Sequence, residues 1–151
     1  MESIGSLLLA FVLCQSAWAA DRSLRIGTVG EELASNGGCS LQLPRQYAKK
    51  EGKYVFTSDF QQNALINVDG VDTHVTLARS KESDPAQKPQ VGEHSTYWYT
   101  GDGIDVQVNY VVTGVCPRGS ESCKVTYYDA ILTLKRAKAS KTVAAKAVCG
   151  N

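Results

Sequence analysis

The sequence predicts an all-β fold, a single antiparallel β-barrel or β-sandwich of about eight strands stapled by disulfides. Three observations carry this expectation. Gly, Pro, Asn, Asp and Ser recur at short intervals, and the runs between them are rich in Val, Ile, Thr, Tyr and Phe. One run, IDVQVNYVV at 104–112, alternates strictly: Ile104, Val106, Val108 and Tyr110 point one way, Asp105, Gln107 and Asn109 the other. Four cysteines follow an export-type leader, as in proteins that oxidise their thiols outside the cytosol. Beyond residue 20, apolar residues nowhere hold helical spacing for more than about two turns.

The first element is the leader. An apolar run from Leu7 to Leu13 precedes Ala17-Trp18-Ala19, a small-x-small pattern that places cleavage before Ala20. The run is too short to span a bilayer, and the leader carries Glu2 but no Lys or Arg. Lipid attachment at Cys14 is the alternative, and Leu13 opposes it by standing where a small residue is needed. Residues 1–19 thus form a signal peptide and 20–151 a single domain, giving a periplasmic or secreted protein. Removing 19 of 151 residues leaves 132, enough for one core. Of 15 acidic residues Glu2 leaves with the leader, so 16 Lys and Arg face 14 acids. So small an excess gives no field that gathers nucleic acid, and no transmembrane segment is expected.

KYVFTSDF (53–60) and NALINVDG (63–70) read as strands, and Asp69-Gly70 as a two-residue hairpin turn into VDTHVTLA. Residues 78–94, ARSKESDPAQKPQVGEH, carry Pro85 and Pro89 with almost no apolar mass and read as one long exposed loop. HSTYWYT follows, then a turn at Gly101-Asp102-Gly103, then the alternating strand. KVTYYDAILTLKR resumes a similar alternation with Val125, Tyr127, Ile131, Thr133 and Arg136, and a bulge or bend near Asp129 and Ala130 is expected to absorb the change of phase. The chain turns through RAKAS and returns as KTVAAKAVC. Lys135, Arg136, Lys138, Lys141 and Lys146 crowd here, as expected of a solvated hairpin tip.

Cys39, Cys116, Cys123 and Cys149 allow three pairings. Cys116 ends one strand and Cys123 begins the next, so the hairpin itself brings them into disulfide range; Cys39 and Cys149 then tie an early strand to the last. Zinc is excluded by spacing, since the nearest pair encloses six residues. Redox chemistry is excluded by the lack of Cys-x-x-Cys.

No nucleophile with a base, phosphate loop or His-x-x-x-His occurs. His74 reads as a strand-face residue, His94 as a partner for Glu93, Asp102 as a turn residue and Asp105 as part of a polar face. The expectation is therefore a protein that is not an enzyme and needs no cofactor and no metal. Binding needs only surface. In STYWYTGD, Tyr97 and Tyr99 share one strand face and Trp98 takes the other, so an aromatic anchor stands beside the long loop.

Trp98, Gly101 and Asp102 form W-x-x-G-D, preceded by ALINVDG and Leu77. This order resembles the periplasmic and membrane-bound inhibitors of C-type lysozyme, small exported β-barrels in which a disulfide joins an early strand to the C-terminus. Cys39 and Cys149 suit that bond. In that family a Ser-Gly-containing loop and a basic residue just before Gly-Asp enter the lysozyme cleft. Here the loop offers Ser80 and Ser83 without Ser-Gly-x-x-Tyr, and Thr100 stands at the basic position. The resemblance implies a protein partner, a secreted wall hydrolase, met through Ser80, Ser83, Tyr97, Trp98, Tyr99, Thr100 and Asp102. The alternatives are an envelope-associated structural module and a small-ligand carrier, the last requiring an interior cavity.

Overall fold

The computed structural model describes residues 23–31, 33–59, 62–82 and 88–150. The expected leader and Ser83 lie outside the described residues. Nine strands run in chain order: β1 Ile26–Gly27, β2 Gly38–Gln42, β3 Phe56–Asp59, β4 Asn63–Val68, β5 Val71–Lys81, β6 His94–Gly101, β7 Ile104–Gly114, β8 Val125–Arg136 and β9 Ala139–Gly150. A 3₁₀ turn, Leu33–Asn36, precedes β2, and a short helix α1, Pro44–Ala48, links β2 to β3. Pro44 opens that helix, where its missing N–H is no loss, and the Leu43 N–H donates to Gln46 Oε1. Among the described residues no helix is long and apolar enough to cross a membrane.

Strands β2 to β9 form one antiparallel ring, each paired with its neighbour in sequence, and β9 pairs back on β2. The fold is therefore an eight-stranded up-and-down barrel rather than a sandwich, with β1 as an extra strand on β4. Closure removes the open edges that would invite pairing with other chains. The ring closes from Gly38 opposite Gly150 to Gln42 opposite Lys146.

The alternation at 104–112 behaves as expected, with Ile104, Val106, Val108 and Tyr110 all buried. They meet Phe56, Leu41, Ile66, Leu132, Leu134, Ala145 and Ala147 in one core. The two ends of the barrel differ. At one end the hairpins turn tightly through Asp69-Gly70, Asp102-Gly103 and Ala137-Lys138, and Asp69, Gly70, Asp102, Gly103 and Ala137 have positive φ. Leu24 is buried in the core, and its neighbour Arg25 donates its backbone N–H to Asp69 in the β4–β5 turn at that end. The β2–β3 connection, 43–55, which carries α1, is also at this end. At the other end stand the connections that follow β3, β5 and β7, among them residues 88–93 and 115–124.

Three expectations are corrected. Residues 78–81 are not loop: β5 continues through them and pairs with β6, Arg79 opposite Trp98 and Lys81 opposite Thr96. Polar side chains hid this strand: Arg79 and Lys81 face outward with Trp98 and Thr96, and Ser80 is exposed at the rim. No bulge interrupts β8, whose register with β9 is continuous from Val125 opposite Gly150 to Arg136 opposite Ala139. The register shifts lie on β5, between Leu77 and Arg79, and on β7, between Val112 and Gly114. Nor do Tyr127, Ile131 and Thr133 make the core face of β8; Ala130, Leu132 and Leu134 do, leaving Tyr127 42% and Ile131 44% exposed.

Both disulfides join the expected pairs. Cys39 and Cys149 stand directly opposite each other on β2 and β9 with Cα atoms 4.0 Å apart, at the seam that closes the ring. Cys116 and Cys123, with Cα atoms 5.6 Å apart, staple the β7–β8 connection.

Candidate functional site

Residues 88–93 and the 115–124 connection border a half-open depression of about 1540 Å³ in the barrel mouth. Its inner wall is built from inward-facing positions of β5 to β8: Leu77, Tyr97, Tyr99, Tyr110, Val112 and Tyr128. Along these strands the inward residues nearer the tight turns are Val75, Ile104, Val106, Leu132 and Leu134, whereas tyrosine takes over toward the mouth. The two register shifts, on β5 and β7, lie at this end. A bulge bends its strand, and here two bends fall at the rim of the depression.

The tyrosines pack edge to face. Tyr97 and Tyr110 have ring centroids 5.6 Å apart at 85°, and Tyr110 and Tyr128 5.3 Å apart at 67°. Tyr99 packs in the same way on Phe56, at 5.2 Å and 66°. This geometry sets the positive ring edge against the negative ring face. Their hydroxyls fare differently. Tyr97 donates to Glu82 Oε1 at 2.7 Å, while the Ser58 and Thr126 hydroxyls offset part of the effect of burial on Tyr99 and Tyr128. The Tyr110 hydroxyl is buried and has no partner among the described residues.

Burial holds all four phenols neutral beyond the usual range. It raises Tyr110 well above the ordinary tyrosine value and pushes Tyr99 up to about 12. Tyr97 is raised by burial and then by the Glu82 carboxylate that accepts its proton in a hydrogen bond, and Tyr128 is raised by burial. Of the charged side chains along the depression, Glu82, Lys88, Glu93, Arg118 and Lys124 are on or beside the rim connections, and Asp59 stands at the end of β3.

Of the residues singled out in the sequence, Tyr97 and Tyr99 line this depression, and Ser80 stands directly opposite Tyr97 in the ladder, exposed at the rim. The others are elsewhere. Trp98 lies on the outer wall, where its Nε1 donates to Gln107 Oε1 at 3.1 Å and the Arg79 guanidinium sits 4.0 Å from its ring centroid. Thr100 and Asp102 lie at the tight-turn end, Thr100 donating to the Ile104 carbonyl at 3.4 Å. The W-x-x-G-D residues have local structural roles here: a Cβ on Gly101 would stand 2.6 Å from the His74 carbonyl, and Asp102-Gly103 makes the hairpin turn with φ of 49° and 72°.

No family model, no curated protein and no solved structure matches this chain. The site is therefore read from its own geometry. Among the described residues no three His, Cys, Asp or Glu side chains are grouped to hold a metal ion. The basic cluster surrounds the β8–β9 turn at the tight-turn end; Arg136 pairs with Asp69 and Lys146 with Asp129.

Sequence reasoning named Tyr110 only as core, and missed Tyr128, Leu77 and Val112 as site residues. A usable signal was present: the inward positions of consecutive strands change from aliphatic to tyrosine in the direction away from the Asp-Gly turns. A phenol-tipped ring is a costly choice for a core unless its hydroxyl has a partner.

Proposed function

We propose that the protein is an exported, non-catalytic binding domain that seats its partner in the mouth of the barrel. The observation that supports this is the half-open, tyrosine-lined depression at the end bordered by residues 88–93 and by the stapled 115–124 connection. The other end is occupied by two-residue turns, by Leu24 and by the 43–55 connection with α1. Eight strands leave room inside for one small ligand, and the depression offers it apolar and polar side chains in similar measure. Export rests on the leader and on two disulfides of the kind that persist in oxidising compartments.

The test fills the mouth. Ser95 is an inward position of β6 at the depression, two residues before Tyr97. The purified mature domain and its Ser95→Trp variant are passed over the exported fraction of the native cell, and what each retains is identified by native mass spectrometry. Retention by the wild type and loss by the folded variant supports the reading. Equal retention by both places binding elsewhere and refutes it.

A second reading keeps the partner a protein, a lysozyme-like wall hydrolase. What favours it is Val91 and Val115, exposed apolar side chains on the two rim connections. It expects inhibition of some member of a lysozyme panel, weakened by Ser95→Trp. No inhibition across the panel removes it.

A further inference from the structure

We propose that the rim of β5 takes up an extended polypeptide segment as an added strand, along the open backbone edge of residues 78–81. This deepens the mouth reading, on which it rests, by naming the partner as a polypeptide and giving the side chains it carries.

The ladder supplies the edge. Strand β4 pairs with β5 only as far as Asn63 opposite Thr76, and the Leu77 N–H then donates to the Gln62 carbonyl at 2.8 Å. Strand β5 runs on to Lys81 with β6 alone beside it, Arg79 opposite Trp98, Ser80 opposite Tyr97 and Lys81 opposite Thr96. Among the described residues no segment bonds the backbone of 78–81 on the side where β4 has stopped. Alternate residues of a strand turn their N–H and C=O to opposite neighbours, so half of this stretch addresses solvent. All four residues are exposed.

Two other steps in the ring are covered. Gly101 lies so close to the 71–75 part of β5 that a Cβ on it would stand 2.6 Å from the His74 carbonyl. Past Gln42 opposite Lys146 the chain enters α1, which packs against β9. The edge at 78–81 has no such cover among the described residues. An open edge is a template for another strand, whose main-chain hydrogen bonds supply affinity while side chains supply selection.

Charge does the selecting. Lys81 makes no ion pair with any described residue, whereas the Arg79 guanidinium lies over Trp98. Two copies of this edge side by side would set cations against cations, which disfavours pairing of the chain with itself. A strand with an acid opposite Lys81 gains a cross-strand ion pair instead. The acids along the mouth are engaged: Glu82 accepts from the Tyr97 hydroxyl, both Asp59 carboxylate oxygens accept from Asn63, and Glu93 accepts from the Gln90 N–H. The other cations there, Lys88, Arg118 and Lys124, favour the same acidic partner. Ser80 shares a rung with Tyr97, whose ring lines the depression, so the incoming residue opposite Ser80 faces the mouth and is apolar. The occupant is an extended segment with an acid next to an apolar residue.

The experiment uses the mature domain and two fluorescein-labelled peptides, Thr-Val-Leu-Glu-Val-Thr-Thr and the same sequence with Lys in place of Glu. Fluorescence anisotropy is expected to show the glutamate peptide binding about 3- to 10-fold more tightly, and Lys81→Glu to reverse that order. N-methylation of one alternate set of peptide residues should weaken binding about 10-fold or more, and of the other set should leave it unchanged. The amides of 78–81 should gain protection from hydrogen exchange when the glutamate peptide is added.

Failure of both peptides to bind, equal effects of the two N-methylated sets, or protection gained elsewhere would overturn strand addition. A preference that survives Lys81→Glu overturns the charge assignment. Should the peptides fail while Ser95→Trp still abolishes native retention, the edge is refuted and the mouth stands. Peptide binding with the alternating pattern, together with native retention untouched by Ser95→Trp, upholds the edge and refutes the mouth.

Discussion

Replacing the Cys39–Cys149 pair by alanines should cost about twice as much stability as replacing Cys116–Cys123. The two bonds are the same chemistry in different places. Cys39 and Cys149 are separated by 110 positions in sequence, Cys116 and Cys123 by 7. On the chain-entropy model, constraint of the unfolded chain gives about 5 kcal/mol for the long loop and about 2.5 kcal/mol for the short one. The difference has a structural meaning here. Every neighbouring pair in the ring is also consecutive in sequence except β2 with β9, so this seam alone must be closed across nearly the whole domain. The bond sits on a rung of that seam. Urea unfolding of the two double variants measures the difference. With a slope of about 2 kcal/mol per molar, the midpoint should fall by about 2.5 M for the seam pair and about 1.2 M for the rim pair. Equal losses, or a larger loss for Cys116–Cys123, would refute the argument that closure entropy at the seam is what the long bond supplies.

Other perturbations test other parts of the structure. Gly38→Ala should destabilise by about 3 kcal/mol or more in the same unfolding assay, because φ is 138° there and a Cβ would lie 1.9 Å from the Ser58 carbonyl oxygen. Trp98→Ala should cost about 1 to 2 kcal/mol through the lost ring packing and the Arg79 contact, and leave retention of a partner at the mouth unchanged, since the ring is on the outer wall. The four cup tyrosines are more basic in the fold than in the unfolded chain. Their contribution is therefore fully present below about pH 10 and lost as pH rises through the folded values, about 12 for Tyr99. Phenolate absorbance should accordingly show them ionising together with unfolding; independent ionisation of all seven tyrosines near pH 10 in a folded protein would contradict this. Asp69 is the opposite case: the Arg25 backbone N–H, then Arg136, lower its pKa, so its contribution is present above about pH 4 and lost as pH falls through the folded value. Asp69→Asn should flatten the fall in thermal midpoint on acidification.

The parts of this fold written locally were legible in the sequence. Strand β7 shows its buried face because its outward residues Asp105, Gln107 and Asn109 are polar. The turns at Asp69-Gly70 and Asp102-Gly103 show because only a few residue types accept positive φ. Strand β8 did not show its phase, since Tyr127 and Ile131 are as apolar as Tyr128 and Leu132. The choice is made by its neighbours: Ala130 lies opposite both Tyr110 and Ala145, three buried residues in a row across the sheet. The site was less legible than the fold. Tyr97 and Thr100 are three residues apart, but a strand advances about 10 Å over that interval, which carries the chain from the cup toward the opposite end. Tyr97, Tyr110 and Tyr128 come together only through the pairing of β6, β7 and β8, and the depression they share becomes concave only when β9 meets β2. Neither event leaves a mark at a single sequence position.

The smaller disulfide matters more for the site than its share of stability implies. Cys116 and Cys123 both line the depression, on the connection that also carries Arg118 and lies beside Val112. A ten-residue connection left free would have to be ordered each time a partner entered, and that entropy would be subtracted from affinity. With its base closed by a covalent bond, much of the ordering is complete before binding. The opposite rim segment, 88–93, is fixed by softer means: the Gly92 N–H donates to the Val112 carbonyl and the Val112 N–H donates to the Glu93 carbonyl. The rim thus joins a covalently held side to a hydrogen-bonded one across Val112, next to the β7 bulge. An occupant that presses on the softer side can shift it without breaking the barrel, while the stapled side keeps its shape. Loss of the Cys116–Cys123 bond should therefore lower affinity at the mouth while the barrel remains folded, and an unchanged affinity in a folded Cys116→Ala/Cys123→Ala domain would place the binding surface away from this rim.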